Sequence, residues 1–468
     1  MQITRFRISI HNMLQKTSLK LAQLTAILAL SFGQAYADNA VFDQPDTNFT
    51  GRVMSAGVVH PGETAQLRGM GFKPGQEVQL LRNGKVISGD KAIVVGKDGN
   101  FEVNATIPKD AALGLHPIVV QVGKPSAASV FELRVSKKVD NFGEGKYEIS
   151  SIPVAKGLYQ SAYSPKSKAL YLTSSVGRPP VTETEVIKVD PESMKVVARI
   201  TPEPVDAKKA DGQRFAAYGV AVDDNNGYVW VTNSRSGTLT VYKQDDLSLV
   251  KQFPTGIVPS IRDVVIDSST NRAYTSGPGN DEITVIDTKT LELLEPIKLK
   301  SEGRTAPGSI SLALDEDAQK LYSVSIRTND AHIVDLKTQQ QEKVITLPGA
   351  QGTSGVAVAP KENLLWVAAQ NSDNVYIIDL KSGEILHEVR VSAGPLNVLW
   401  DEQSKLAYVT NRASGQVSVL NPKGELVASV DGARHPNHMS LDQQGNLYLV
   451  HKSTKDGQPD ELTRIHVK

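Results

Sequence analysis

A phrase of thirteen residues occurs twice in the chain, and this repetition restricts the possible fold more than any other feature. The phrase "VWVTNSRSGTLTV" occupies 229–241, and "AYVTNRASGQVSV" occupies 407–419, 178 residues later. Aligning the chain on the aromatic residue of the phrase gives a sevenfold repeat. The aromatic positions are spaced 59, 44, 48, 44, 42 and 40 residues apart: Tyr171, Trp230, Tyr274, Tyr322, Trp366, Tyr408 and Tyr448.

Each repeat contains four short apolar runs that predict β-strands. In the fifth repeat they are "GVAVA" (355–359), "LLWVAA" (364–369), "NVYIIDL" (374–380) and "EILHEVRV" (384–391). A period in the forties with four strands per repeat is typical of the blades of a β-propeller. The sequence therefore predicts an all-β fold, with a seven-bladed β-propeller over residues 147–468.

The seventh repeat has three strand-like runs before the sequence ends at Lys468. The segment "KYEISSIPV" (146–154) alternates in β fashion and has no other assigned role. An unpaired sheet edge exposes main-chain donors and acceptors. We therefore expect this segment to pair with the last strand of the chain and to complete the seventh blade.

Residues 50–136 have a different pattern, with short alternating runs separated by the turn signals "HPGE", "FKPG", "RNGK" and "KDGN". This pattern predicts a small immunoglobulin-like β-sandwich in front of the propeller. The phrase "GMGFKPGQEVQLL" (69–81) resembles immunoglobulin-like modules of exported bacterial proteins. The polar segment "KKVDNFGEGK" (137–146) is predicted to be the linker between the two domains.

Residues 1–37 are predicted to be a cleavable signal peptide, which implies a periplasmic protein. Four basic residues precede the apolar run "LTAILALSF", and "AYA" stands at 35–37. No later segment approaches the about 20 apolar residues that a membrane span needs, so we expect no transmembrane segment in the mature chain. The absence of cysteine excludes disulfides, thiolate metal sites and covalent haem attachment.

Charge argues against a generic nucleic-acid binder. The signal removes four bases from the 51 basic and 51 acidic residues, which leaves 47 − 51 = −4. The strongly basic field of such binders is therefore missing, and any anion site must be local. We also expect a monomer with no cofactor and no bound metal.

The repeats resemble the YVTN-repeat β-propellers, a WD40/YVTN repeat-like family that includes the YncE-like periplasmic proteins. The resemblance is carried by "YVTN" (408–411), "WVTN" (230–233), "VIDTKT" (285–290) and "IIDLKSG" (377–383), and it covers roughly 147–468. It implies a seven-bladed propeller exported to the periplasm. Its relatives are largely binding proteins without an agreed activity.

Candidate ligand-binding residues lie where the loops before each first strand and the loops after each second strand would share one face. Basic residues follow the repeat phrase in five repeats, and polar or small residues begin every first strand. Neighbouring tyrosines and arginines can stack on and bond to a planar anion. The predicted set at this channel-mouth face is Tyr159, Gln160, Arg178, Tyr218, Arg235, Arg262, Asp263, Arg327, Asn397, Asn411, Arg412, His435, His438 and Lys452.

The predicted function is that of a non-enzymatic binding or scaffold propeller. Its partner is an unknown envelope protein or an anionic or polymeric ligand held at the channel mouth. One alternative is binding of single-stranded nucleic acid by the arginines and tyrosines. Another is a lyase or hydrolase that uses His435, His438 or His451 at the channel rim. No catalytic residue is predicted, because no nucleophile elbow or phosphate-binding glycine loop is found.

Four repeats have an aspartate at the end of the third strand, directly before a turn. Short acidic side chains at such positions accept hydrogen bonds from turn amides. We therefore predict a structural role, and no calcium binding, for Asp190, Asp287, Asp335 and Asp379.

Overall fold

A computed structural model describes residues 44–468, whose regular structure is β-strand except for one 3₁₀ turn at Glu144–Lys146. The all-β prediction is therefore confirmed. The predicted signal peptide, 1–37, lies outside the described residues. Within 44–468, no helix is long and apolar enough to cross a bilayer.

The chain divides into two compact units. The first comprises residues up to Ala56 together with Thr64–Thr106 and His116–Leu133, and the second comprises Gly57–Glu63, Ile107–Leu115 and Arg134–Lys468.

Two antiparallel sheets form from the N-terminal strands. The smaller has the spatial order β1 (Arg52–Ser55), β2 (Thr64–Met70) and β6 (Phe101–Thr106). The larger has the order β4 (Lys85–Val86), β3 (Glu77–Arg82), β7 (Gly114–Gly123) and β8 (Ala127–Val135), with β5 (Ile93–Val94) also paired to β3. Alternate side chains of these strands are buried, and the fully enclosed ones include Leu67, Val78 and Leu80.

Seven four-stranded antiparallel sheets follow, numbered here in chain order. Sheet 1 contains β10 (Leu158–Ser164), β11 (Ala169–Ser175), β12 (Thr184–Asp190) and β13 (Lys195–Ile200). Sheet 2 contains β14 (Val220–Asp223), β15 (Tyr228–Asn233), β16 (Thr238–Lys243) and β17 (Leu249–Gln252). Sheet 3 contains β18 (Asp263–Asp267), β19 (Arg272–Ser276), β20 (Glu282–Asp287) and β21 (Ile297–Lys298).

The remaining four sheets repeat this arrangement. Sheet 4 contains β22 (Ser309–Asp315), β23 (Lys320–Ser325), β24 (Asp330–Asp335) and β25 (Gln340–Thr346). Sheet 5 contains β26 (Thr353–Ala359), β27 (Leu364–Ala369), β28 (Asn374–Asp379) and β29 (Ile385–Arg390). Sheet 6 contains β30 (Pro395–Asp401), β31 (Leu406–Asn411), β32 (Gln416–Leu420) and β33 (Leu426–Asp431). Sheet 7 contains β34 (Arg434–Leu441), β35 (Asn446–Lys452), β36 (Asp460–Val467) and β9 (Tyr147–Ala155).

The sheets contact one another in a closed cycle. The first strand of each sheet contacts the first strand of the next, and β34 of sheet 7 contacts β10 of sheet 1. Sheet 7 is completed by β9, which pairs with β36 from Tyr147 opposite Val467 to Ala155 opposite Asp460. The expected pairing of this N-terminal segment with the last strand is confirmed. Residues just before β9 also pair with sheet 6, where Phe142 forms a bridge with Ser429.

Apolar clusters between neighbouring sheets form the core of the cycle. The aromatic residues of all seven repeats are buried, and none is more than 4% exposed. Trp366 of sheet 5, for example, stacks on Trp400 of sheet 6 at a ring distance of 5.8 Å. The repeated aromatic residue is therefore a packing residue, which the hydrophobic effect retains inside.

The turn aspartates have the predicted structural role. Asp190 accepts the amide hydrogens of Glu192 and Ser193, and Asp379 accepts that of Ser382 at 2.8 Å. Asp287 and Asp335 each accept two turn amides in the same way.

Candidate functional site

The threonine of the repeat phrase ties neighbouring sheets together near the starts of their first strands. Thr232 Oγ1 accepts the Gly219 amide hydrogen at 2.7 Å and donates to the Arg262 carbonyl of sheet 3 at 3.0 Å. Thr173 Oγ1 likewise accepts from the amide of Gln160 and donates to the Tyr218 carbonyl. Sequence reasoning missed this role, although the recurring threonine was the signal for it.

Side chains at the starts of the first strands continue this linkage from sheet to sheet. Gln160 Oε1 accepts from Val220 N at 3.1 Å, and Asp263 Oδ2 accepts from Leu312 N at 2.9 Å. Beyond them, Ser311 Oγ donates to Ser354 O and Ser354 Oγ donates to Leu396 O.

Asn397 and His438 complete the circle between sheets 6, 7 and 1. Asn397 Oδ1 accepts from Met439 N at 3.3 Å, and His438 Nδ1 accepts from Ser161 N at 3.4 Å. The structure thus places four of the predicted residues in one ring: Gln160, Asp263, Asn397 and His438. A side-chain atom of each accepts a main-chain hydrogen bond from the next sheet. The accepting role of Nδ1 places the proton of a neutral His438 on Nε2.

Arg262 stands directly before Asp263, where the chain enters sheet 3. Its main chain is fixed on both sides, because Arg262 N donates to Ser276 O at 2.7 Å and Arg262 O accepts from Thr232. Its guanidinium carbon lies 4.5 Å from the ring centre of Tyr159, which is a cation–π contact. Yet Nε of Arg262 is buried and has no acceptor among residues 44–468.

Two tyrosines and Arg235 flank this guanidinium. The rings of Tyr159 and Tyr218 meet edge to face at 4.8 Å, and Arg235 lies over the Tyr218 ring at 5.8 Å. Arg235 Nε also donates to the Tyr218 hydroxyl at 3.2 Å. Since Tyr218 is only 7% exposed, little of its ring is left for an unpaired base to stack on.

The charge of Arg412 acts on Arg262 from the other side of the ring. It follows β31 in sheet 6, whereas Arg262 precedes β18 in sheet 3, and these sheets lie on opposite sides of the cycle. The charge of Arg412 is nevertheless close enough to lower the pKa of Arg262. We call the five residues Tyr159, Tyr218, Arg235, Arg262 and Arg412 the mouth cluster.

Burial is the main cause of the pKa shifts of Arg262, Asp263 and His438. It lowers the pKa of Arg262 to about 10, against the opposing charge of Asp263. Burial raises the pKa of Asp263 to about 6, although the amides of Leu312 and Val264 and the charge of Arg262 favour the carboxylate. Burial and the nearby Arg262 lower the pKa of His438 to about 3, so this imidazole is neutral near pH 7.

The arginines of the predicted face have no carboxylate partner within ion-pair distance among the described residues; they are Arg178, Arg235, Arg262, Arg327 and Arg412. Arg178, Arg235, Arg327 and Arg412 are also exposed. Each of the five follows a second strand or directly precedes a first strand, so all of them lie at the same end of their antiparallel sheets.

Lys452 and Asn411 are not free at the mouth. Lys452 Nζ lies 2.5 Å from Asp460 Oδ2, and that carboxylate also accepts the Gly157 amide where the ring closes. The amide of Asn411 is fully buried inside sheet 6, 2.8 Å from Ser418 Oγ. Both side chains therefore support the fold at the edge of the site.

The three histidines considered for catalysis are not assembled into one site. His435 is exposed at the rim, with Nδ1 3.2 Å from Arg412 O. His451 is buried in sheet 7, where Nε2 contacts Thr463 Oγ1 at 2.7 Å and Nδ1 contacts Lys452 O at 3.0 Å. Over residues 44–468, no three His, Asp or Glu side chains group closely enough to hold a metal ion.

Comparison with known proteins gives relatives that match two thirds of the chain. The chain is 27% identical to a Salmonella typhi protein named YncE, described as uncharacterized, over 333 residues. The YncE protein of Escherichia coli K12 is 26% identical over the same length. In both cases the match covers 67% of this chain and 89% of the relative. The chain is similar to the YncE proteins.

Solved structures show the type of fold. A catalytically inactive virginiamycin B lyase from Staphylococcus aureus, solved with quinupristin, superposes with a TM-score of 0.54 at 12% identity, covering 69% of this chain and all of the lyase. Hydrazine synthase of Kuenenia stuttgartiensis superposes with a TM-score of 0.53 at 18% identity, covering 64% of this chain and 94% of that one. Both structures share a β-propeller-like fold with this chain, and at these sequence identities the similarity is one of fold alone. No protein-family model matches the chain.

Proposed function

We propose that this is an exported, non-enzymatic binding protein that takes an anionic ligand, or an anionic group of a protein partner, at the channel mouth. In this proposal residues 147–468 form a seven-bladed YVTN-type propeller, 50–136 form an immunoglobulin-like module, 137–146 link them, and 1–37 direct export to the periplasm. Seven four-stranded sheets in closed cyclic contact support the propeller assignment. The similarity to YncE proteins supports the family assignment.

One observation carries the ligand class: Nε of Arg262 is buried without an acceptor among residues 44–468, and the charge of Arg412 on the opposite side of the ring acts on the same guanidinium. A buried charge is costly unless it is paired, and the mutual repulsion of two guanidinium groups adds to that cost. Fixing Arg262 through both sides of its main chain maintains this arrangement in the free protein. An anion held between the two groups would relieve the repulsion and supply an acceptor for Arg262 Nε.

The alternatives have less support. Single-stranded nucleic acid needs accessible aromatic faces, and those of Tyr159 and Tyr218 are partly covered by Arg262 and Arg235. A histidine-dependent lyase or hydrolase needs a base of suitable pKa. His451 is bonded inside sheet 7 and the pKa of His438 is about 3, so His435 is the remaining base of the three considered.

The proposal can be tested by measuring how much sulfate raises the thermal unfolding midpoint of the wild-type protein and of the variants Arg262→Met and Arg412→Met. A ligand that binds the native state raises the midpoint of thermal unfolding, so sulfate should stabilise the wild-type protein more than either variant. Sulfate also stabilises proteins by exclusion from their surface, and the difference between proteins is therefore the readout. Arg199→Met, which removes an outer-strand arginine paired with Glu185, should respond like wild type. Equal sulfate shifts in all four proteins would overturn the proposal.

The same variants distinguish a site for a small anion from a site for single-stranded nucleic acid. Fluorescently labelled oligothymidine should show little binding to the wild-type protein at moderate salt. Binding that is lost in Arg262→Met and weakens steeply as salt rises would favour single-stranded nucleic acid instead.

A further inference from the structure

Asp263 is the carboxylate next to the unpaired guanidinium, and its oxygens are bonded to main-chain amides and not to that guanidinium. Asp263 Oδ2 accepts from Leu312 N at 2.9 Å and its Oδ1 accepts from Val264 N at 3.0 Å. No ion pair within 4.0 Å joins it to Arg262 among the described residues. A carboxylate and a guanidinium thus stand side by side, each held in its own place.

The other groups around Asp263 carry little charge that could compensate for a bound anion. The matching first-strand positions of the other sheets are Gln160, Gly219, Ser311, Gly355, Asn397 and His438. His438 is uncharged near pH 7 because burial and Arg262 lower its pKa to about 3. The charged groups of the mouth cluster are Arg235, Arg262 and Arg412, and the imidazole of His435 contacts the Arg412 carbonyl.

We propose that the mouth cluster binds a compact oxyanion together with one proton, and that Asp263 takes up this proton. The inference rests on the proposed function, because it concerns the same anion site. A carboxylate beside Arg262 repels an incoming anion, whereas a neutral carboxylic acid does not. Each oxygen of Asp263 accepts only one main-chain hydrogen bond, so a proton can be added while those bonds remain. Asp263 thereby determines the conditions under which the site accepts its ligand.

The sign of the effect follows from linkage. In the free protein the pKa of Asp263 is raised by burial to about 6. A bound anion disfavours the carboxylate further and raises this pKa again. Binding should therefore be strongest below about pH 6 and weaken above it, by up to about tenfold per pH unit, until the pKa of the complex is passed.

Titration calorimetry with sulfate on the full chain tests the inference without any substitution. Sulfate keeps a constant charge between about pH 5 and pH 8, so its own ionisation does not contribute. Measurements at about pH 7 in two buffers with different ionisation enthalpies give the number of protons taken up. We expect uptake that approaches one proton per sulfate and an affinity that falls as pH rises.

Two substitutions identify the residue that takes up the proton. Asp263→Asn should bind sulfate with an affinity that hardly changes with pH, because its neutral side chain cannot titrate. His435→Gln removes the imidazole next to the Arg412 carbonyl and should keep the wild-type slope, whatever its overall affinity. If Asp263→Asn does not fold, the proton count of His435→Gln still decides between the two residues.

The outcomes separate this inference from the proposed function. Sulfate binding without proton uptake or pH dependence would overturn the role of Asp263 and leave the anion site standing. Loss of the slope in His435→Gln would assign the proton to the rim histidine and likewise overturn it. Absence of sulfate binding at every pH would overturn the anion site and this inference together.

Discussion

Arg262 is the residue on which the account depends. Its guanidinium lies over the Tyr159 ring, burial and the charge of Arg412 lower its pKa, and its Nε has no acceptor among residues 44–468. Buried polar atoms in folded proteins are nearly always bonded, and the exceptions need an explanation. Retaining a costly arrangement at a rim is typical of binding sites, where stability is sacrificed for function.

Replacing Arg262 should stabilise the free protein. Desolvation of an unpaired charge costs several kcal/mol, whereas the cation–π contact that would be lost contributes about 2 kcal/mol at most. Methionine keeps the apolar stem, so Arg262→Met should raise the free energy of unfolding by about 1 kcal/mol in anion-free buffer. Urea unfolding can be followed by tryptophan fluorescence, since all three tryptophans, Trp230, Trp366 and Trp400, lie in the seven sheets.

Arg199→Met is the matched control, and an exposed ion pair of this kind contributes at most about 1 kcal/mol. A loss of more than about 1 kcal/mol in Arg262→Met would mean that the guanidinium is stabilised in the free protein, contrary to our account.

At the residue scale, the sequence could identify candidates but not their contacts. Tyr159, Tyr218 and Arg262 were predicted together because they hold equivalent positions in successive repeats. The approach of Arg412 to Arg262 depends on the direction of a loop side chain, which periodicity does not determine. The burial of Asn411 and the pairing of Lys452 with Asp460 depend on cross-strand neighbours in the same way.

The elements were more predictable, because four strands per repeat leave a distinct period in the sequence. The closing role of β9 followed from counting: the last repeat lacked one strand, and one strand had no partner. What could not be predicted was the circle of hydrogen bonds through Gln160, Asp263, Asn397 and His438, since polarity alone does not separate a structural from a binding role. One ring position can serve both purposes, as we propose for Asp263.

Closure of sheet 7 can be tested on the two strands that join the ends of the ring. Leu462 of β36 is fully buried, so Leu462→Ala should lower the free energy of unfolding by about 2–5 kcal/mol through lost burial and a cavity. Ile149 of β9 is 41% exposed and pairs with Ile465. Ile149→Ala should therefore cost less than about 1 kcal/mol. Tryptophan-detected urea unfolding gives both values, and equal costs would argue against this closure.

In the whole molecule, the cyclic contact of the seven sheets brings together residues that are far apart in the sequence. Arg262 and Arg412 are 150 residues apart in sequence, and only cyclic contact of the sheets brings them to one mouth. The chain has equal numbers of basic and acidic residues, so its composition excludes a generic polyanion binder but does not reveal a local positive site. The fold therefore provides the charge pattern, and the loops on one face determine which ligand meets it.

A crystal structure of the full protein grown with selenate would show whether an anion occupies the mouth cluster. Selenium gives an anomalous signal that locates the anion independently of neighbouring waters. We predict a peak between the guanidinium groups of Arg262 and Arg412, with a selenate oxygen accepting from Arg262 Nε. A mouth without selenate, in which Arg262 is paired with a carboxylate of its own chain, would contradict the account.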